Sequence, residues 1–102
     1  MYNFELILTI CNHGFAEAVM ETAKQNGARG GTILHARGSA MGEVSKFFGI
    51  SIHPEKDILM IVTQTTTKAA IMKGIVEAHG VKTPAHGICF SVPVEDAIGF
   101  NF

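Results

Sequence analysis

Tryptophan is absent from this sequence, tyrosine occurs once, and only 17% of the 102 residues are charged. The 8 lysines and arginines are balanced by 9 acidic residues, which leaves a formal charge of −1. Nucleic-acid-binding domains usually carry a basic surface interleaved with aromatic side chains. The lack of both features indicates that nucleic acid is not a partner.

The sequence also lacks an apolar run long enough to cross a membrane, so direct membrane insertion is not expected. The short apolar segment at residues 4–10 follows no basic residue and does not look like a signal peptide. Cys11 and Cys89 are far apart without CxxC spacing, which is typical of reduced, structural thiols. We therefore expect a cytoplasmic protein.

Apolar residues are abundant, at 47% before the 11 glycines are counted. A chain of 102 residues is expected to form a single domain, residues 1–102, around one core. Because so small a domain leaves much surface exposed, this composition predicts that part of the surface is buried in a homo-oligomer.

Short apolar segments predict four strands, at residues 4–10, 31–37, 57–64 and 88–92, the last ended by Pro93. Two helical patterns lie between them. The first is predicted to begin at the cap Asn12, to bury Phe15, Val19 and Ala23, and to end at Gly27. The second is predicted to begin at Thr66 or Thr67, to bury Ile71, Ile75 and Ala78, and to end at Gly80. Gly74 interrupts it, and either close approach to the sheet or simple tolerance of a glycine inside the helix would explain it.

The resulting order, β-α-β-β-α-β, consists of two split β-α-β units. Right-handed crossovers leave a gap between the parallel strands of each unit, and a strand of the other unit fills it. This predicts an α+β, ferredoxin-like fold with an antiparallel four-stranded sheet and two helices on one face. The other face would be bare in a monomer, which again favours an oligomer.

Residues 38–56 are a long connection between two strands that a tight turn could have joined. Phe47, Phe48, Ile50 and Ile52 make it too apolar for a solvated linker, since burying each such side chain contributes about 1.5–3 kcal/mol. Either an extra hairpin that closes the core or contact with a partner would bury them. The glycine-rich stretch before it, with Arg29 and Arg37, is either an anion cradle or a set of turns.

Three parts of the sequence share a pattern with one known family. They are the turn and strand at residues 27–38 (GARGGTILHARG), the long connection, and the closing segment at residues 86–100 (HGICFSVPVEDAIGF). Together they resemble the nitrogen-regulatory PII signal-transduction family over essentially the whole chain. The most specific part is GICFSVPVEDAI, which is similar to the family pattern Gly-Lys-Ile-Phe-Val-x-Pro-Val-Glu-x.

The resemblance implies a homotrimer whose sheets face inward and which binds AMP, ADP or ATP in the clefts between subunits. It also implies a T-loop, residues 38–56 here, that regulates a partner protein such as a membrane transporter or a metabolic enzyme. Neither a nucleophile–base pair nor a carboxylate pair is evident in the sequence, so we expect no enzymatic activity and no required cofactor.

The resemblance assigns nucleotide contacts residue by residue. Thr32, Arg37 and Gly38 match the base of the T-loop, Lys56 matches a phosphate-contacting lysine, and Gly87 matches a glycine of the B-loop that follows the second helix. Backbone amides of glycine-rich turns and a few cations suffice for an anion site. The loop residues expected to meet the partner are Ser39, Met41, Glu43, Lys46, Phe47 and Phe48.

Three positions depart from the family pattern. Ile88 stands where the family has a lysine, and Gly99 and Asn101 stand where two arginines follow the Pro-Val-Glu segment. The connection contains no tyrosine, which excludes tyrosine uridylylation at the usual place. The phosphate site is therefore expected to be weakened or altered.

The alternative function is that of a trimeric metal-binding protein, because CutA-type copper-tolerance proteins share this fold. No close ligand pair of known spacing is present in the sequence. The candidate ligands are His13, His35, His53, His79, His86, Cys11 and Cys89.

Overall fold

The computed structural model describes residues 3–39, 45–48, 50–52 and 54–100. In chain order they form β1 (Phe4–Asn12), α1 (Ala16–Gln25), β2 (Thr32–Arg37), β3 (Ser45–Phe47), β4 (Ile50–Ile52), β5 (Glu55–Gln64), α2 (Thr65–His79) and β6 (Ile88–Val94). The four long strands make one sheet in the order β2-β5-β1-β6, and β3 and β4 pair in a separate two-stranded sheet.

Neighbouring strands of the four-stranded sheet are all antiparallel. β5 lies between β1 and β2, while β1 lies between β5 and β6. Each β-α-β unit thus encloses a strand of the other unit, as expected when both crossovers have the same hand. The ferredoxin-like fold predicted from the sequence is confirmed.

Both helices cover the same face of the sheet, where alternate residues of β1 and β5 are buried. Ile7, Leu59 and Ile61 have no exposed surface and form the centre of this core. The helices contribute Ala16, Val19, Met20, Ala23, Ile71 and Ile75.

One residue predicted to lie in this core does not. Ala78 is exposed, because the buried face of α2 continues from Ile75 to the half-buried His79 instead. The Nε2 atom of His79 lies 2.9 Å from the hydroxyl of Thr22 on α1. His79, which hydrogen-bonds to α1, therefore takes the place in the helix interface that the sequence pattern assigned to Ala78.

The second face of the sheet is also apolar, although both helices lie on the other side. Leu6, Leu8 and Ile10 of β1 point to it, each aligned with one apolar residue of β5 and one of β6. We call this surface the open face. Its most exposed large side chains are Leu34 at 44%, Ile88 at 56%, Phe90 at 44% and Val92 at 41%.

The helix starts differ from the sequence predictions. α1 begins after Phe15, which makes no side-chain capping hydrogen bond, so the cap predicted at Asn12 is wrong. α2 begins at Thr65, and the hydroxyl of Thr67 donates to the Gln64 carbonyl oxygen at 3.0 Å from inside the first turn. Neither helix in the described ranges combines the length and apolarity needed to cross a bilayer.

β6 continues through Pro93 to Val94, whereas the sequence predicted that the strand would end before this proline. β6 is an edge strand of the sheet, and Pro93 is aligned with Glu5 of β1. A proline is tolerated at an edge because its missing N–H can face away from the neighbouring strand.

Gly74 lies where α2 crosses the end of α1. A Cβ atom at Gly74 would collide with the side chain of Asn26, the residue that caps α1. Asn26 in turn donates from Nδ2 to the Thr22 carbonyl oxygen at 2.9 Å. The glycine thus permits close approach between the two helices, not the approach to the sheet that we expected.

Candidate functional site

Three of the predicted nucleotide contacts, Arg37, Gly38 and Lys56, lie together in one pocket of about 430 Å³. β2 ends at Arg37, and the pairing of β2 with β5 places Lys56 opposite Ala36, next to that end. Ser39 and His86 complete the polar lining, and Ile10, Ile58 and Ile88 form apolar wall. We call this cavity the Arg37 pocket.

Lys56 is held in place by a residue that sequence reasoning missed. Its Nζ donates to Oδ1 of Asn12 at 2.9 Å, and the lysine is only 8% exposed. Asn12 also donates from Nδ2 to the Pro84 carbonyl oxygen at 3.0 Å and from its backbone to Ala85 at 2.8 Å. Asn12 therefore joins the end of β1, the Lys56 ammonium and the segment after α2, instead of capping a helix.

Gly38 gives the Lys56 side chain room to pass. A Cβ atom at Gly38 would lie 2.9 Å from Cε of Lys56. The Gly38 amide donates to the Pro54 carbonyl oxygen at 2.8 Å, so the backbone is joined across the base of the long connection. The connection starts and ends beside the Arg37 pocket.

Gly87, the fourth predicted contact, is buried next to the pocket and not in its lining. Its amide donates to the His79 carbonyl oxygen at 2.8 Å, and it forms an isolated parallel bridge with Gly80. His86, which precedes it and does line the pocket, has a left-handed backbone with φ of 54°. Such conformations in residues other than glycine are often found at binding sites.

Replacing Gly87 by alanine should lower the free energy of unfolding by about 1–3 kcal/mol, the usual cost of overpacking. The reason is that the new Cβ would lie 2.5 Å from the His79 carbonyl oxygen, a backbone atom that cannot move aside freely. Urea denaturation measures the effect. Gly30→Ala is the matched control, because nothing lies within 4 Å of a Cβ there. Equal stability of the two variants would contradict this account of Gly87.

Thr32, the fifth predicted contact, lies in a different cavity of about 340 Å³, which we call the Thr32 pocket. Arg29, Gly31, Leu6, Met60 and Phe100 also line it. Leu6 of β1 lines the Thr32 pocket, whereas Ile10 of β1 lines the Arg37 pocket. Both of these residues point to the open face. A single chain therefore does not bring Thr32 together with Arg37, Gly38 and Lys56.

Four of the six residues predicted to meet a partner are among those that the structure describes. Ser39 is exposed, and Phe48 is 89% exposed at the turn with φ of 52°. Lys46 and Phe47 are in β3. Met41 and Glu43 lie outside the described residues.

A second cluster of polar side chains was not recognised from the sequence. His13, His35 and Asp57 each offer one ligand atom, and these atoms lie within 4.8 Å of one another. Oδ1 of Asp57 is 3.0 Å from Nδ1 of His13 and 3.3 Å from Nδ1 of His35. The two imidazole rings are 4.3 Å apart between centroids. We call these three residues the His–Asp cluster; His13 and His35 are two of the seven ligands considered from the sequence.

Asp57 is the buried member, with a side chain 7% exposed, whereas His13 is 48% exposed and His35 is 67% exposed. Burial opposes ionisation of Asp57, but its hydrogen bonds with His13 and the Gly14 amide, together with its charge interactions with His13 and His35, outweigh that effect and lower its pKa. The hydrogen bond to Asp57 raises the pKa of His13. The cluster therefore contains an ionised carboxylate that faces two imidazoles.

Comparison with known proteins shows the fold of this chain but does not identify its binding sites. No protein-family model and no curated protein matches this chain. Among solved structures, Arabidopsis thaliana PII bound to citrate is 21% identical and superimposes with a TM-score of 0.70 over 97% of this chain and 82% of that one. The B. subtilis GlnK-ATP complex is 13% identical, with a TM-score of 0.69 over 91% of this chain and 84% of that one. The resemblance to PII proteins is confirmed at the level of the fold.

Proposed function

We propose that this protein is a PII-like signalling protein that binds an adenine nucleotide between the subunits of a homotrimer. The observation that carries the proposal is the Arg37 pocket, where two cations, Arg37 and Lys56, and Gly38 meet at the base of the long connection. Two cations beside an apolar wall suit a ligand that combines a phosphate with an apolar ring system.

The position of the Thr32 pocket supports a site shared between subunits. Both pockets include residues of the open face, yet they lie apart on one chain. If open faces pack together in an oligomer, the Thr32 pocket of one subunit can meet the Arg37 pocket of its neighbour. Thr32, Arg37, Gly38 and Lys56 would then surround one ligand, as the sequence resemblance implies.

The structural neighbours support a ligand of this charge. One of them is a PII protein bound to citrate, and another is a GlnK complex with ATP. Citrate and ATP are both anions. The charged groups in the described lining of the Arg37 pocket are cations, with no carboxylate among them. Binding and signalling, as opposed to catalysis, fit such a lining.

We further propose that residues 38–56 report the bound state to a partner protein, such as a membrane transporter or a metabolic enzyme. The connection leaves and rejoins the sheet at the Arg37 pocket, where the Gly38 amide donates a hydrogen bond to the Pro54 carbonyl oxygen. A ligand that contacts Arg37 or Lys56 therefore acts at the base of this loop. Phe48 is 89% exposed, so it presents a large apolar side chain that a partner can contact.

Thermal unfolding with added nucleotides tests the proposal. Because a ligand that binds only the folded state stabilises it, saturating AMP or ADP at about 100 times Kd should contribute about 2.7 kcal/mol and raise Tm by several degrees. Guanine nucleotides and pyrophosphate at equal ionic strength are the controls. If AMP, ADP and ATP all left Tm unchanged, that result would contradict the proposal.

A further inference from the structure

We propose that the His–Asp cluster of His13, His35 and Asp57 binds one divalent transition-metal ion of the Zn²⁺ class. None of its three residues lines the Arg37 pocket. Asp57 points to the helix-covered side of the sheet, and its neighbour Lys56 points to the open face, because successive residues of β5 alternate.

The spacing of the donor atoms fits a single ion. Ligand atoms about 2.1 Å from one ion lie about 3.0 Å apart when adjacent in an octahedron and about 3.4 Å apart in a tetrahedron. Oδ1 of Asp57 lies 3.0 Å from Nδ1 of His13 and 3.3 Å from Nδ1 of His35. Both separations fall within the range that two ligands of one ion adopt, and all three donor atoms lie within 4.8 Å of one another.

The backbone holds the three ligands in place. His35 and Asp57 are directly opposite each other in the pairing of β2 with β5. The His13 amide donates to the Glu55 carbonyl oxygen at 3.3 Å, which fixes the turn after β1. The Gly14 amide donates to Oδ2 of Asp57 at 3.0 Å and orients the carboxylate, and φ of 98° at Gly14 strongly favours glycine.

The ligand types identify the class of ion. Two imidazole nitrogens and one carboxylate oxygen suit Zn²⁺, Co²⁺, Ni²⁺ or Fe²⁺, whereas Mg²⁺ and Ca²⁺ prefer oxygen ligands throughout. The cluster lines a cavity of about 390 Å³ together with Glu17. Three protein ligands beside open space leave coordination positions for water or a small ligand.

Metal titration of the tag-free protein, freed of metal with a chelator, tests the proposal. Co²⁺ is followed by its visible absorption, and Zn²⁺ by calorimetry in competition with a chelator of known affinity. We expect one ion per chain, and we expect Zn²⁺ to displace Co²⁺. His35→Gln and His13→Gln should each weaken Zn²⁺ binding about 100-fold or more, because even outer partners of metal ligands are typically worth about 10–100-fold.

His79→Gln is the matched control, since it removes an imidazole outside the cluster and leaves a polar group beside Thr22. It should bind Zn²⁺ like the unaltered protein. Both cluster histidines are exposed enough for their variants to fold, which circular dichroism checks. Equal Zn²⁺ affinity of His35→Gln and the unaltered protein would overturn the site. Because the titrations contain no nucleotide, that result would leave the proposed nucleotide function standing, and failure of nucleotide binding would leave the metal site standing.

Discussion

Replacing Leu8 by glutamate should convert the proposed trimer to a monomer. Leu8 lies at the middle of β1 on the open face, aligned with Met60 of β5 and Phe90 of β6. Packing of open faces would enclose the new carboxylate in an apolar interface, and an unpaired charge there costs several kcal/mol per subunit. Light scattering coupled to size-exclusion chromatography measures the mass directly.

The physical reason for expecting an oligomer is the extent of the open face. Phe90 is 44% exposed and Val92 is 41% exposed on an edge strand, beside apolar residues of β1. Contiguous apolar surface of this kind is rare on monomers and usually marks an interaction site. Phe90→Glu should therefore have the same effect as Leu8→Glu.

The control for both variants is Val76→Glu. Val76 is 51% exposed on α2, on the side of the molecule away from the open face, so this variant should have the same mass in solution as the unaltered protein. Circular dichroism establishes that each variant is folded. A stable monomer of the unaltered protein at micromolar concentration would contradict both the trimer and the site between subunits.

Replacing Arg37 by alanine should weaken the binding of AMP and ADP about 10- to 100-fold. A hydrogen bond from a charged group to a phosphate is worth about 1.5–3 kcal/mol, and Arg37 is one of two cations in its pocket. Titration calorimetry gives the affinities. Lys73→Ala removes the same charge from the exposed surface of α2 and should leave binding unchanged.

The unaltered protein should bind AMP or ADP at least as tightly as ATP. Ile88, Gly99 and Asn101 stand where PII-like patterns carry cations, so fewer groups are present to hold a longer phosphate chain. Ile88 is in the apolar wall of the Arg37 pocket. Submicromolar ATP binding that Arg37→Ala does not affect would show that the nucleotide site lies elsewhere.

The sequence was most informative where local patterns carry the information. Alternating and continuous apolar segments identified the four long strands, and the four-residue spacing of Val19 and Ala23 identified a helix face that is buried. Helix starts were less predictable. Asn12 has the side chain of a helix cap, yet it hydrogen-bonds to Lys56 and Pro84, which lie 44 and 72 residues further along the chain.

The strand order followed from the sequence as well, because crossover handedness restricts how two β-α-β units can interlock. The apolar character of both sheet faces, and with it the expectation of an oligomer, could also be derived from composition and pattern. These features depend on the periodicity of side chains along single elements, which a sequence displays directly.

Only the tertiary structure decided which side chains meet across strands. A tight turn would have determined the register of β2 against β5, but the long connection between them leaves that register open. The observed register places His35 opposite Asp57 and Ala36 opposite Lys56. A shift by one residue would exchange the two faces of the strand, and neither the His–Asp cluster nor the Arg37 pocket would form.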